Sequence, residues 1–364
     1  MSTDSDTDGA DAPPPFPTVS PGYFPVRPAD PRRRRRRRML VALLVSAVAL
    51  AVPAAVVLYL AHDLNGNITR LDGMLPPEIG RPSHATGAAA EAVNVLVLGA
   101  DGRFASSRAA NATSDERGSS DTVMMLHIDA DRRGASIISI PPDSWVDVPG
   151  HGKARIGMAS FWGGPALAVS TIERLTGVRV DHVAIVGWDG YRAMIDALGG
   201  VDVIVPKTAA DDDGEAPRTP GKHHLDGSDA VRYARERDDQ PGGDLESVAR
   251  KQAVLRALSD SATRAASSPT TVYQLLDGLT HHLIVDSSWR ATEMAKLALS
   301  LRKVGASDVA YVTVPLAGTG TVAEQSVVFL DRGADRTLWA AIREDRMSGW
   351  TAPSGSDVPA DVVR

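Results

Sequence analysis

The chain has 364 residues, 43% hydrophobic and 23% charged, an ordinary globular balance with enough apolar material for a sizeable core. It contains no cysteine, which excludes disulfides, thiolate metal sites and cysteine nucleophiles. The net charge of −6 includes one unbroken run of seven arginines, so the remainder carries −13, which speaks against a nucleic-acid role for the main body.

Residues 1–38 open with a tail rich in Pro, Asp, Ser and Gly, too poor in apolar side chains to offset the entropy of ordering, and expected to be disordered. The tail ends in Arg32–Arg38. Met39–Ala61 is then an apolar run broken only by Ser46 and Pro53. A helix rising 1.5 Å per residue over that run crosses a hydrocarbon core of about 30 Å, so residues 39–61 are expected to form a single transmembrane helix. The arginines lie immediately before it and no comparable charge follows, which puts the N-terminus in the cytoplasm and the rest of the chain outside. A cleaved signal peptide is the alternative, but the apolar run is longer than the usual core of such a leader. A nuclear or nucleic-acid signal is not needed to explain the arginines, since topology and anionic lipid heads already account for them.

Residues 62–92 are dominated by Gly, Pro, Ala and polar side chains and read as a linker, with the globular region over 93–348 and a polar tail over 349–364. Asn94–Gly99 has the β-branched and Leu content of a buried strand, and delivers Asp101 just past its C-terminal end. Ser119–Thr122 opens a second strand, Val123–Ile128, and Gly134–Pro141 is a third. Pro165–Leu175 has helical spacing, Val180–Gly187 reads as a strand, Tyr191–Leu198 as a helix stopped by Gly199-Gly200, and Val201–Val205 as another strand. Lys207–Gly221 is an acidic surface excursion. Ser228–Tyr233, Leu245–Arg264, Thr271–Leu279, Ser288–Val304 and Thr337–Arg343 read as helices, and Val309–Val314 as a strand. Alternating strands and helices define an α/β domain.

Two carboxylates at neighbouring strand ends, Asp101 and Asp121, suit a hard cation held against a phosphate, because Mg²⁺ takes one or two carboxylates plus substrate oxygens. Asp in such turns is equally a turn former. Arg235 and Arg237 stand two apart, so in an extended segment both guanidinium groups leave on one side and can grip successive phosphates. Pairing with Asp238, Asp239 or Asp244 is the competing reading. His223-His224 and His281-His282 read as surface or turn histidines, since adjacent histidines point apart. Ser119 and Ser120 lack a Gly-x-Ser-x-Gly context, and no Walker or GxGxxG pattern is present.

Taken in order, Asn94–Asp101, Ser120-Asp121-Thr122, Ser139–Ser144, Val148–Lys153, Gly163-Gly164-Pro165, Val180-Asp181-His182, Asp196–Val201, His224–Gly227, Arg235-Glu236-Arg237, Gly243-Asp244 and Val314–Gly320 resemble the LytR-CpsA-Psr family over roughly Val93–Asp345. The resemblance implies a three-layer α/β/α domain with a central mixed sheet, outside the membrane. It implies transfer of a polyprenyl-pyrophosphate-linked glycopolymer to peptidoglycan through a phosphodiester, with release of polyprenyl phosphate and with the lipid in an apolar tunnel. By position, Asp101 and Asp121 would hold Mg²⁺, and Arg235 and Arg237, with Asp244 and Arg250, would form the catalytic set. Arg103, Asp143 and Gln252 are added as candidate cofactor-binding positions. Val169–Leu175, Met194–Leu198 and Val254–Leu258 are candidates for the core or the tunnel, with core the default. The expected partners are the lipid-linked glycopolymer, peptidoglycan and the membrane, with no nucleic acid; the sequence does not fix an oligomeric state.

The chain departs from the family pattern at Ser119, Pro142 and Ser247, where the family has arginines, at Lys251 in place of Gln, and at Gly157 in place of Asn. Loss of one preorganised donor to developing charge commonly costs about 3–4 kcal/mol, and losses in one site overlap non-additively. Arg103, Arg117, Arg155, Arg250 or Lys251 could substitute. Two expectations therefore stand: a phosphotransferase-type ligase, and a degenerate member that binds the lipid or polymer without efficient transfer.

Overall fold

The computed structural model describes residues 63–100, 120–205, 220–235, 243–265, 268–301 and 304–351. Among these residues no helix is long and apolar enough to cross a membrane; the expected span Met39–Ala61 lies outside them.

In chain order the strands of the main sheet are β1 (Thr69–Leu71), β2 (Val93–Ala100), β3 (Ser120–Ile128) and β4 (Ala135–Ile140). A hairpin of β5 (Trp145–Val148) and β6 (Gly152–Arg155) leads to helix α1 (Met158–Thr176), then β7 (His182–Gly187) and α2 (Trp188–Ala197). A second hairpin, β8 (Val201–Val205) with β9 (Gly221–Leu225), precedes α3 (Gly227–Arg235), α4 (Gly243–Ala265) and α5 (Pro269–Thr280). The chain continues through β10 (Leu283–Asp286), α6 (Ala291–Ser300), β11 (Val309–Thr313), the hairpin β12 (Leu316–Val322) and β13 (Gln325–Leu330), and α7 (Arg332–Arg343). The main sheet has seven strands in the order β1-β10-β7-β2-β3-β4-β11. Its pairings are mixed: β1 with β10, β7 with β2 and β4 with β11 are parallel, and the other three are antiparallel. The mixed α/β sheet expected from the sequence is the one observed.

Alternation along the central strands supplies both faces with apolar side chains, as a sheet covered on two sides requires. Leu96 and Leu98, with Met125, Val123, Ile138 and Ile185, pack in one core with Val169 and Ile172 of α1 and Leu338, Trp339 and Ile342 of α7. Val95 and Ala184 belong to the opposite face, where they join Val285 and Trp289 and contact Met294 and Leu297 of α6. A satellite core ties Ile195 of α2, the β8–β9 hairpin, Tyr233 of α3 and Val254 and Leu258 of α4. Val169, Ile172, Ile195, Val254 and Leu258 are therefore core residues.

Residues expected to form a linker are partly built into this fold. Thr69–Leu71 adds the edge strand β1 beside β10, and Met74 is 1% exposed in the main core. Arg81 sits on Glu173 of α1 at 2.7 Å with both side chains 4% exposed. Sparse apolar content concealed this, because a strand of three residues, a few scattered apolar side chains and ion pairs such as Arg81–Glu173 and Arg179–Glu78 do the anchoring. Helix α1 also starts earlier than expected: its first turns end at Gly164, whose φ of 65° few other residues adopt, and Pro165 starts the next stretch.

Candidate functional site

An apolar cavity of about 130 Å³ lies between the sheet and the helices α2 and α4. Val97 and Gly99 of β2, Thr122 and Met124 of β3, and Val186 and Gly187 of β7 form its floor. Trp188, Tyr191 and Met194 of α2, with Lys251 and Leu255 of α4, form its walls. The parallel strands β2 and β7 reach it with their C-terminal ends, where ligand crevices of such sheets usually lie. Gly99 is required here by close approach: a Cβ at that position would stand 2.6 Å from Cβ of Thr122. Immediately beyond, the β2–β3 register jumps from Gly99↔Thr122 to Ala100↔Ser120, which leaves Asp121 as the extra residue of a bulge. A bulge beside a site bends the strand and re-aims a side chain. Asp121 is half-buried.

Positive charge gathers at Trp188. The ammonium of Lys251 lies 5.9 Å from the centroid of its indole and the guanidinium of Arg235 lies 5.6 Å from it, both within cation–π range. Lys251 is only 7% exposed, and its Nζ donates to the backbone oxygen of Asp121 at 2.7 Å. Two further donors are buried here. Trp188 Nε1 and Tyr191 Oη have no hydrogen-bond partner among the described residues, and burial pushes the Tyr191 phenol far above its usual range, so the hydroxyl keeps its proton. An apolar pocket with unsatisfied N–H and O–H donors and a buried ammonium has the chemistry to accept an anionic head on an apolar ligand.

Successive residues of α4 face different ways, because each step turns the helix by about 100°. Arg250 is 6% exposed and near enough to Tyr233 to offset part of the burial that raises that phenol. Lys251 turns to the cavity. Gln252 donates through Nε2 to Ser139 Oγ at 3.0 Å and Thr313 Oγ1 at 2.9 Å, clamping β4 to β11. Asp143 accepts from Arg155 Nη1 at 3.1 Å in the loop after β4. Arg235 is the last residue of α3, so the extended segment expected for Arg235 and Arg237 does not hold at its first member. Arg237, Asp101, Arg103, Arg117 and Ser119 lie outside the described residues, as do the side chains of Asp244 and Ser247 in the first turns of α4. The structure thus places Lys251 in the cavity wall, with Asp121 beside it through its backbone oxygen and the exposed Arg235 over the Trp188 ring, neither of them lining the cavity. Reading the sequence missed Trp188 and Tyr191. Their spacing of three, with Met194 three further on, puts all three on one helix face, but the expected helix started at Tyr191.

The fold and the site define an α/β domain with a central mixed sheet, a small apolar cavity at the strand ends and cations beside it. Residues 72–343 match the LytR_cpsA_psr family, and the chain belongs to that family. Over 229 residues it is 31% identical to the probable cell wall biosynthesis protein LcpB of Corynebacterium glutamicum, covering 62% of this chain and 54% of that protein. The chain therefore spans about half the length of that curated relative. The fold is similar to that of the LytR-Csp2A-Psr enzyme from Actinomyces oris, with a TM-score of 0.59 at 22% identity over 76% of this chain and 95% of that one. It is also similar to TagT bound to LI-WTA, TagT being a Bacillus subtilis protein, with a TM-score of 0.57 at 21% identity over 76% and 98% of the two chains.

Proposed function

We propose that this protein transfers a polyprenyl-pyrophosphate-linked glycopolymer to peptidoglycan outside the cell membrane, anchored by a helix over Met39–Ala61. The observation that carries the proposal is the apolar cavity lined by Lys251 and Trp188, with Arg235 over the Trp188 ring, which suits a lipid carrying a pyrophosphate. Family membership and the likeness to the probable cell wall biosynthesis protein LcpB and to TagT bound to LI-WTA support it.

In this reading a peptidoglycan hydroxyl oxygen bonds to the phosphorus that carries the glycopolymer. The P–O bond to polyprenyl phosphate breaks, the bridging oxygen leaves with that lipid, and the hydroxyl proton passes to the departing phosphate or to water. Lys251 and Arg235 bind and orient the pyrophosphate and oppose charge on its oxygens, while the cavity walls hold the first isoprene units and exclude water. Carboxylates suit a hard cation, so Asp121 on its bulge would hold Mg²⁺, together with Asp101, which comes next after β2 in the sequence and lies outside the described residues. When bound, the ion supplies charge neutralisation on phosphate oxygens.

One observation favours the second reading, a member that binds the lipid without efficient transfer: Arg155, a possible substitute for a missing arginine, is engaged by Asp143 at 3.1 Å. The test uses the full chain in detergent with a synthetic polyprenyl-pyrophosphate oligosaccharide, a peptidoglycan acceptor and Mg²⁺, with products read by mass spectrometry. Transfer that is abolished by Asp121→Ala and by Arg235→Ala is the expected result. Lipid binding without turnover, beside an active family member, selects the binding protein; a water-derived product without acceptor selects a hydrolase.

A further inference from the structure

At the far end of β3, six residues and about 20 Å along the strand from Asp121, the side chains of His127, Asp129 and Asp345 converge. One ligand-type atom from each lies within 4.8 Å of the others. His127 is fully buried. Its Nδ1 lies 2.8 Å from Asn94 Oδ1 across the β2–β3 ladder, and its Nε2 faces Asp345 Oδ1 at 3.1 Å and Asp129 Oδ1 at 3.7 Å.

The arrangement poses a problem of polarity. A neutral ring donating Nδ1–H to Asn94 presents a bare lone pair at Nε2 to two carboxylate oxygens, three acceptors with nothing between them. Burial lowers the proton affinity of His127, against the pull of Asp129 and Asp345. Asp129 Oδ1 is itself buried with no hydrogen-bond donor among the described residues. Asp345 is fixed in place: both its oxygens accept from the Ala130 amide at 3.2 Å, and its backbone has the left-handed φ of 53°.

A zinc-like ion resolves the conflict. Bonds of about 2.0–2.2 Å to nitrogen and oxygen in a tetrahedral site hold the ligand atoms about 3.3–3.5 Å apart, and the two distances from Nε2 bracket that value. Ligating histidines typically donate their other ring N–H to an oxygen, which fixes the tautomer, and Asn94 Oδ1 stands in that place. We propose that His127, Asp129 and Asp345 bind a divalent cation of the zinc type, with water as fourth ligand, stapling the segment after α7 to the end of β3. The site is structural and separate from the phosphate chemistry at Asp121.

Zinc titrated calorimetrically into the untagged full chain, with Mg²⁺ in excess to occupy hard oxygen sites, tests this. The expected result is one Zn²⁺ per chain at micromolar affinity or tighter. Asp129→Asn and Asp345→Asn should each weaken it at least tenfold, Asp121→Ala should leave it unchanged, and saturating Zn²⁺ should raise Tm by several degrees only where both carboxylates are present. Asp129 lies at the partly exposed edge of the cluster, so its variant retains the fold if the Asp345 variant does not. No uptake, or uptake that both variants retain, overturns the proposal. In that case a proton on His127, or an Asn94 amide turned to donate to Nδ1, satisfies the cluster instead.

Discussion

Lys251→Met is the substitution on which the proposed chemistry depends most. Met keeps the length and apolar stem of the side chain and removes only the ammonium, which contacts the Asp121 carbonyl at 2.7 Å and the Trp188 ring at 5.9 Å. In the folded protein the loss is modest. A charge-assisted hydrogen bond contributes about 1.5–3 kcal/mol and a partly desolvated cation–π contact about 1–2, offset by relief from burying a charge that is 7% exposed. The net effect on stability should be within about 1–2 kcal/mol. In the transition state the ammonium opposes charge developing on the pyrophosphate, where one preorganised donor is worth about 3–4 kcal/mol, a factor of 10² to 10³ in rate. Transfer should fall by that factor, Lys251→Arg should recover most of it, and thermal melting should show both variants folded. Transfer by Lys251→Met within threefold of the parent would refute a role for this charge.

Trp188→Phe removes the orphan Nε1 donor and weakens the seat of both cations; binding of polyprenyl pyrophosphate, followed by fluorescence titration, should weaken about tenfold with Tm little changed. Arg81→Ala strands Glu173, which is 4% exposed and accepts from Arg81 at 2.7 Å and from the Val180 amide at 3.0 Å; denaturant unfolding should show a loss of about 3–5 kcal/mol. Asp335 gives a pH test. Burial, reinforced by the neighbouring Asp331, pushes its carboxyl up to about 7 from an ordinary 3.8. The folded state then holds the proton where the unfolded chain has lost it, so stability contributed below about pH 4 is lost as pH rises to 7. Asp335→Asn should match the parent at pH 4 and exceed it by about 1–2 kcal/mol above pH 8, after discounting for solvent screening; equal Tm curves across that range would remove the argument.

Long periodic segments were legible in the sequence and short ones were not. Strands β2, β3, β4 and β7 show apolar runs that serve two covered faces, and α4 is long enough for its period to stand out. The hairpins gave little signal: β12 is Leu-Ala-Gly-Thr-Gly-Thr-Val, with two glycines, and β9 carries His223 and His224 at alternate registers against Val203 and Asp202, where they read as a turn. At the site, Asp121 was legible as a carboxylate at a strand end, but the bulge that sets it apart depends on pairing with β2. His127 and Asp129 are neighbours but one in β3 and the turn after it, and Asp345 is more than two hundred residues away, so only the fold could join them. Gly157 shows why one departure from the family pattern is local. A Cβ there would lie 2.9 Å from the Ser120 carbonyl, so the usual Asn would push against the strand that carries Asp121.

Helix α4 also offers a reason for the departures at Ser247 and Lys251. These positions are four apart in the 23-residue helix Gly243–Ala265, one turn and therefore one face. The family arginine expected at 247 is missing, and a cation the family does not have stands one turn later, in contact with Asp121. If the charge has moved along the helix, it can be moved back. Lys251→Gln should be inactive in transfer, and Ser247→Arg in that background should recover at least tenfold, because the longer guanidinium returns a donor to the same face. Ser247→Arg in the parent should add little, since one cation already fills the place. Product formation by mass spectrometry decides this, with melting curves confirming that all three variants fold. A double variant as inactive as Lys251→Gln alone would mean that the two positions do not serve the same phosphate, and that Lys251 acts through the Asp121 carbonyl it holds.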